Sequence, residues 1–174
     1  MEQVKLLMTE LSPELTRLCA ETLAAQDIAV TVCEKDGAKA LAALSAEKPD
    51  AVLLAYPVIT AGEYAHRGSF VQLSGSEDRA EHRRFGLEEK ITPDTPPVFV
   101  WHTMEDATVP VENTLLLLAA LRKNHVPCEA HLFEKGGHGT SISTAEVDAA
   151  SAHRAHWVQL AVEWLNDTFD FHLE

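Results

Sequence analysis

Five short apolar runs, each set off by polar or helix-forming sequence, restrict this chain to a small set of folds. They are VKLLM (4–8), IAVTVCE (28–34), AVLLAYPVI (51–59), PVFVWHT (97–103) and CEAHLFE (128–134). Each has the length and apolar content of a buried strand. Helix-type segments separate the first three. Ser12-Pro13-Glu14 is a helix start, with Ser as N-cap, Pro at the first helical position and an acid in the first turn. Leu15, Leu18, Cys19 and Leu23 then recur at helical spacing. AKALAALSAEK (38–48) reads as a second helix. Further helices are predicted at about 112–124 and 147–168, and a short one at about 78–85.

The βαβαβ order implies parallel strands with right-handed crossovers. It predicts an α/β three-layer sandwich with a five-stranded parallel sheet in flavodoxin-like order 2-1-3-4-5, as one domain over residues 1–174. Ligands of such a sheet bind at the carboxyl ends of its strands. Residues 60–96 are punctuated by Gly62, Gly68, Gly75, Gly86, Pro93 and Pro96. A connection of that length in a compact domain is usually functional.

Charge narrows the partners. The chain carries 14 basic and 27 acidic side chains, a net charge of -13. Nucleic acid and anionic membranes both require a basic face, so neither is expected as a partner. Cys19, Cys33 and Cys128 are odd in number and form no CxxC, which reads as reduced thiols in a cytoplasmic protein. Glu2, Lys5 and Glu10 interrupt any signal-peptide pattern, and no apolar run approaches the ~18 residues of a membrane span.

Two segments place chemistry just past a strand. In WHTMEDATVP (101–110), Asp106 follows the fourth strand; in FEKGGHG (133–139), His138 follows the fifth. A parallel sheet gathers such strand ends on one edge. There an Asp accepting from a His fixes its tautomer and stabilises the imidazolium. Ser69, Ser141 and Ser143 read as ordinary loop residues. His102, His131, His153 and His156 invite a metal reading, but no metal-ligand spacing accompanies them, so they read as surface or packing histidines. No cofactor is expected. Trp101, Trp157 and Trp164 read as core. Phe169 and Phe171 in the tail pack on the sheet edge or mediate a dimer, and the oligomeric state is left open.

AYPVITAGEYAHRGSF (55–70), ITPDTPPVFVWHTMEDATVPVENTLLLLAALRKNHVP (91–127) and GGHG (136–139) together resemble the C-terminal half of bacterial α/β-hydrolases of the esterase/acetylxylan-esterase-like group. The resemblance runs from about Pro49 to Leu165. It implies Asp106 and His138 as triad acid and base, and a small ester substrate such as an acetylated sugar. That family also places a G-x-S-x-G elbow just before the YPV strand, with an oxyanion loop upstream. Neither motif occurs in this sequence.

LLMTELSPELTRLCAETLAAQDIAVTVCEKDGAKALAALSAEKPDAVLLA (6–55) instead resembles the first half of a response-regulator receiver domain. The receiver's acceptor position falls at Ala55 and one acidic-pocket position at Leu11, leaving Glu10 alone, so phosphoryl transfer is not expected. The resulting expectation is a chimera: 1–48 receiver-like, 49–168 hydrolase-like, 169–174 a tail. Ser12, at the end of the first strand, takes the place of the elbow serine as candidate nucleophile. Its bulky neighbours Glu10, Leu11, Pro13 and Glu14 oppose a sharp elbow, and it also serves as a helix N-cap. Three functions stay open: a hydrolase-derived scaffold with little or no activity, a reduced short-chain ester hydrolase using Asp106 and His138 with Ser12 or an activated water, and a receiver-like signalling or binding module.

Overall fold

The computed structural model describes residues 5–9, 17, 21, 24, 29–33, 49–143, 145 and 150–169. The chain clusters into two compact units, Met1–Val52 and Leu53–Glu174.

In the first unit, β1 (Lys5–Thr9) and β2 (Ala29–Cys33) pair in parallel, with Lys5 opposite Ala29 and Thr9 opposite Cys33. Residues 17, 21 and 24 are helical, in keeping with the first expected helix. The second expected helix, 38–48, lies outside the described residues, as does Ser12.

The remaining strands form a three-stranded parallel sheet in the order β3-β4-β5, from Val52–Ala55, Val98–Thr103 and Cys128–Phe133. Val98 lies opposite Cys128 and Thr103 opposite Phe133. The α/β class and the parallel pairings therefore stand. The pairings among the described residues are β1-β2 within the first unit and β3-β4-β5 within the second.

All six residues of β4 are buried. That is expected of a middle strand covered on both faces, since successive side chains point to opposite sides. On one face Phe99 and Trp101 meet α5 (Trp157–Phe169). Their ring centroids lie 5.7 Å from Trp164 and 5.2 Å from Trp157 respectively. On the other face His102 meets Thr114 of α3 (Glu112–Lys123), whose Leu117 and Leu121 are buried. Each large apolar side chain buried here stabilises the layer by about 1.5–3 kcal/mol. The last helix, expected as one piece, is divided into α4 (Ala152–Ala155) and α5.

Residues 60–96 are organised by local caps and by α3. The helix α1 (Arg67–Ser74) buries Phe70 and ends on Gly75, whose left-handed backbone lets its N–H reach Val71 O. Asp78 caps α2 (Arg79–His82), which runs on through a 3-10 turn over Arg83–Phe85, matching the short helix expected near 78–85. The His82 ring stacks on Phe70 at 5.8 Å. Asn113, fully buried on α3, accepts from Ile59 N and Thr60 N and donates to Tyr64 O and Pro110 O. All four hydrogen-bonding sites of its amide are used, and the start of the segment is fixed to the helix.

Candidate active site

Asp106 lies in the turn that carries the chain from β4 toward α3. Its Oδ1 accepts from Thr108 N at 3.0 Å and Val109 N at 2.9 Å, so the carboxylate closes its own turn. Its Oδ2 accepts from His138 Nδ1 at 2.8 Å and lies 3.2 Å from His102 Nε2. The side chain is wholly buried. Burial by itself pushes a carboxyl group up. Here the bonds from Val109, His138 and Thr108 outweigh it and hold Asp106 below the usual carboxylate range.

His138 sits in the loop after β5, and Thr103, Glu105 and Arg154 anchor that loop. Thr103 Oγ1 donates to Gly136 O at 2.7 Å, and Gly136 N donates to Glu105 Oε2 at 3.2 Å. Arg154 donates from Nη1 to Lys135 O and from Nε to Ser143 Oγ. Gly136 has φ +137°, and a Cβ there would come within 3.0 Å of both Thr103 Cγ2 and Arg154 Nη1. Only glycine allows the loop this close to β4. The His138 side chain remains 31% exposed. Because Nδ1 is the donor to Asp106, the neutral ring carries its basic lone pair on Nε2. That arrangement can accept a proton from a group at the strand ends and return it.

The structure thus brings the two sequence-predicted residues, Asp106 and His138, into direct contact. The other candidates lie elsewhere. Ser69 Oγ bonds His66 Nδ1 within the first turn of α1. Ser143 Oγ accepts from Arg154. Ser141 has both main-chain groups held, its N–H by Tyr56 Oη at 3.2 Å and its carbonyl by Trp157 Nε1 at 3.0 Å. His131 pairs with Glu129, and His153 packs edge-on against Phe133. Among the described residues, no group of three His, Cys, Asp or Glu side chains is placed to hold a metal ion. No helix among them is long and apolar enough to cross a membrane.

Two residues of the site escaped sequence reasoning. Tyr56 was expected inside the third strand, yet the strand ends at Ala55 and Tyr56 takes φ +39°. Its N–H bonds Trp101 O, and its ring lies edge-on to His138 with centroids 4.8 Å apart. The second is His102, expected as a surface or packing histidine and found wholly buried against Asp106. Its i, i+4 spacing to Asp106 was the available signal.

Comparison with known proteins agrees with this geometry. The profile of the prolyl oligopeptidase family matches residues 35–169. Endo-1,4-beta-xylanase B of Butyrivibrio fibrisolvens is 42% identical over 100 residues, covering 57% of this chain and 16% of that protein. The acetyl ester-xyloside bifunctional hydrolase of Caldicellulosiruptor lactoaceticus superposes with a TM-score of 0.66 at 27% identity, over 91% of this chain and 64% of that one. A sugar hydrolase from Lactococcus lactis does so with a TM-score of 0.62 at 29% identity, over 92% and 72%. The chain therefore spans a sixth of the xylanase and just under two-thirds of the first of these structures. The likeness is not confined to the expected hydrolase half: the profile takes in residues 35–48, and both structures cover most of the front. A hydrolase front accounts for that stretch without a receiver half. With an α/β sheet, an Asp–His pair at its strand ends and a profile match over well over half its length, this chain belongs to the prolyl oligopeptidase family of α/β-hydrolases.

Proposed function

We propose that this chain carries the acid–base half of a carboxylic-ester hydrolase site. His138 is the base and Asp106 its orienting acid. With no G-x-S-x-G motif in its sequence, the chain turns activated esters over slowly. The observation that carries this reading is the 2.8 Å bond from His138 Nδ1 to the buried Asp106 carboxylate. In the reaction, His138 Nε2 takes a proton from a water molecule as its oxygen attacks the acyl carbonyl. The imidazolium then returns that proton to the departing alkoxide, giving a carboxylic acid and an alcohol. Asp106 stabilises the imidazolium and keeps its own charge throughout.

A positioned general base alone contributes on the order of 10²–10⁴ in rate. With neither a G-x-S-x-G elbow nor an HGGG-type oxyanion loop in the sequence, activated esters are the substrates within reach. An acetyl group on a sugar is the natural acyl donor. Its support is the 27% identical acetyl ester-xyloside hydrolase, whose fold covers most of this chain.

The test pairs an activated acetyl ester with a fluorophosphonate, the adduct being mapped by mass spectrometry. Slow hydrolysis that disappears in His138→Ala, with no serine adduct, is the expected result. An adduct at Ser12 that vanishes in His138→Ala would replace this reading with a complete triad. Hydrolysis indifferent to His138→Ala would sink it.

A further inference from the structure

The environment of His102 is more specific than packing requires. The ring is wholly buried, yet both its nitrogens are engaged. Nε2 lies 2.9 Å from Val109 O and 3.2 Å from Asp106 Oδ2. A carbonyl oxygen can only accept, so Nε2 carries a proton. Nδ1 lies 2.7 Å from Thr114 Oγ1. Burial lowers the affinity of this ring for a second proton, and the bonds to Val109 and Asp106 do not offset it. Nδ1 is therefore an acceptor, and the Thr114 hydroxyl donates to it. A threonine on α3 thus selects the tautomer of a histidine on β4, and that tautomer shares its N–H between Val109 O and the Asp106 carboxylate.

Asp106 then accepts four N–H groups. Thr108 and Val109 occupy Oδ1, and His102 and His138 share Oδ2. A carboxylate has about four lone-pair sites, and here all are used. Any donor competing for Oδ2 weakens the hold of that oxygen on His138.

We propose that His102 is a positioning residue that acts through Asp106: its Nε2–H locks the carboxylate in place and tempers the Asp106–His138 hydrogen bond. This rests on the reading of Asp106 and His138 as acid and base. It deepens that reading by adding a third, buried member, Thr114-His102, behind the pair.

The resting protein, without substrate, provides the test, so a failure of ester hydrolysis leaves the result unaffected. The full chain is labelled with ¹⁵N-histidine and examined by NMR at low temperature. In the unmodified protein the nitrogen shifts of His102 should report a neutral ring protonated on Nε2. In His102→Phe the His138 Nδ1 proton should move downfield, because Asp106 Oδ2 has lost a competing donor. In His102→Gln, whose amide N–H reaches toward the same oxygen, it should return toward its original position. A folded His102→Phe protein with an unmoved His138 resonance would overturn the proposal. So would a His102 ring that is charged, or protonated on Nδ1, in the unmodified protein. That last measurement needs no variant and decides the matter alone if His102→Phe does not fold.

Discussion

At the scale of single residues, the buried His102 and Asp106 create a pH dependence of stability that can be assigned to named groups. Unfolded, His102 titrates near the ordinary imidazole value of about 6.5. Folded, burial holds it lower. Below about pH 6.5 the unfolded chain therefore takes up a proton that the folded chain refuses, and stability falls as pH falls, by up to about 1.4 kcal/mol per pH unit. Asp106 acts in the same direction lower down. Its folded carboxyl lies below the ordinary value, so its contribution is complete above about pH 4 and is lost as pH drops through the folded value. Thermal unfolding across pH should show a fall beginning near pH 6.5 in the unmodified protein. His102→Gln should lack that upper limb and keep the lower one; identical profiles would show that the folded ring takes up its proton as readily as the unfolded one. The sequence shows Asp106 and His138 because each stands beside turn residues just past an apolar strand. It conceals His102, because a histidine inside PVFVWHT looks the same whether it packs or bonds. It conceals Tyr56 for the opposite reason. A residue before proline is biased toward extended backbone, and only tertiary contacts with Trp101 and Ser141 hold it at positive φ.

At the scale of elements, Asn113 carries more than any other polar residue of α3. Replacing it with Ala removes two acceptor and two donor contacts and leaves the N–H groups of Ile59 and Thr60 without their buried partner. Buried unsatisfied groups cost about 1–3 kcal/mol each, partly relieved when water enters. Asn113→Ala should therefore lose about 2–4 kcal/mol in urea unfolding, and a loss under 1 kcal/mol would show that the segment after β3 holds itself. That segment is also where the sequence was least legible. β4, β5 and α3 lie within a residue of their predicted bounds because their apolar periods are long and their ends are marked by Pro or by basic residues. The helix Arg67–Ser74 was not predicted. Gly68, Ser69, Val71 and Ser74 are weak helix formers, and the helix is held instead by burial of Phe70 against His82 and by the Gly75 cap. Local propensity and tertiary packing disagree there, and packing wins.

For the whole molecule, the α/β class and the parallel pairing of the described strands were legible, because helix-type segments between apolar runs force crossovers and so parallel neighbours. Charge is the other global property, and it leads to a measurable consequence. The net charge of -13 is a self-repulsion distributed over the chain. The Arg–Glu pairs at 17–21, 67–77 and 81–84 are all largely exposed and offset little of it. Raising salt from about 0.01 M to 0.15 M shortens the screening length from about 30 Å to about 8 Å. The melting temperature should therefore rise over that range, and a fall would mean that attractive pairs outweigh the net repulsion. The same field bears on catalysis. Glu105 and Asp106 stand at the strand end that presents His138, so an ester carrying its own carboxylate approaches against both the local and the overall charge. At low salt the His138-dependent hydrolysis should favour an uncharged acetyl ester over an anionic one of equal intrinsic reactivity, and the preference should shrink at 0.15 M. A preference independent of salt would place the discrimination in contacts at the site, and leave the acidity of the chain to solubility alone.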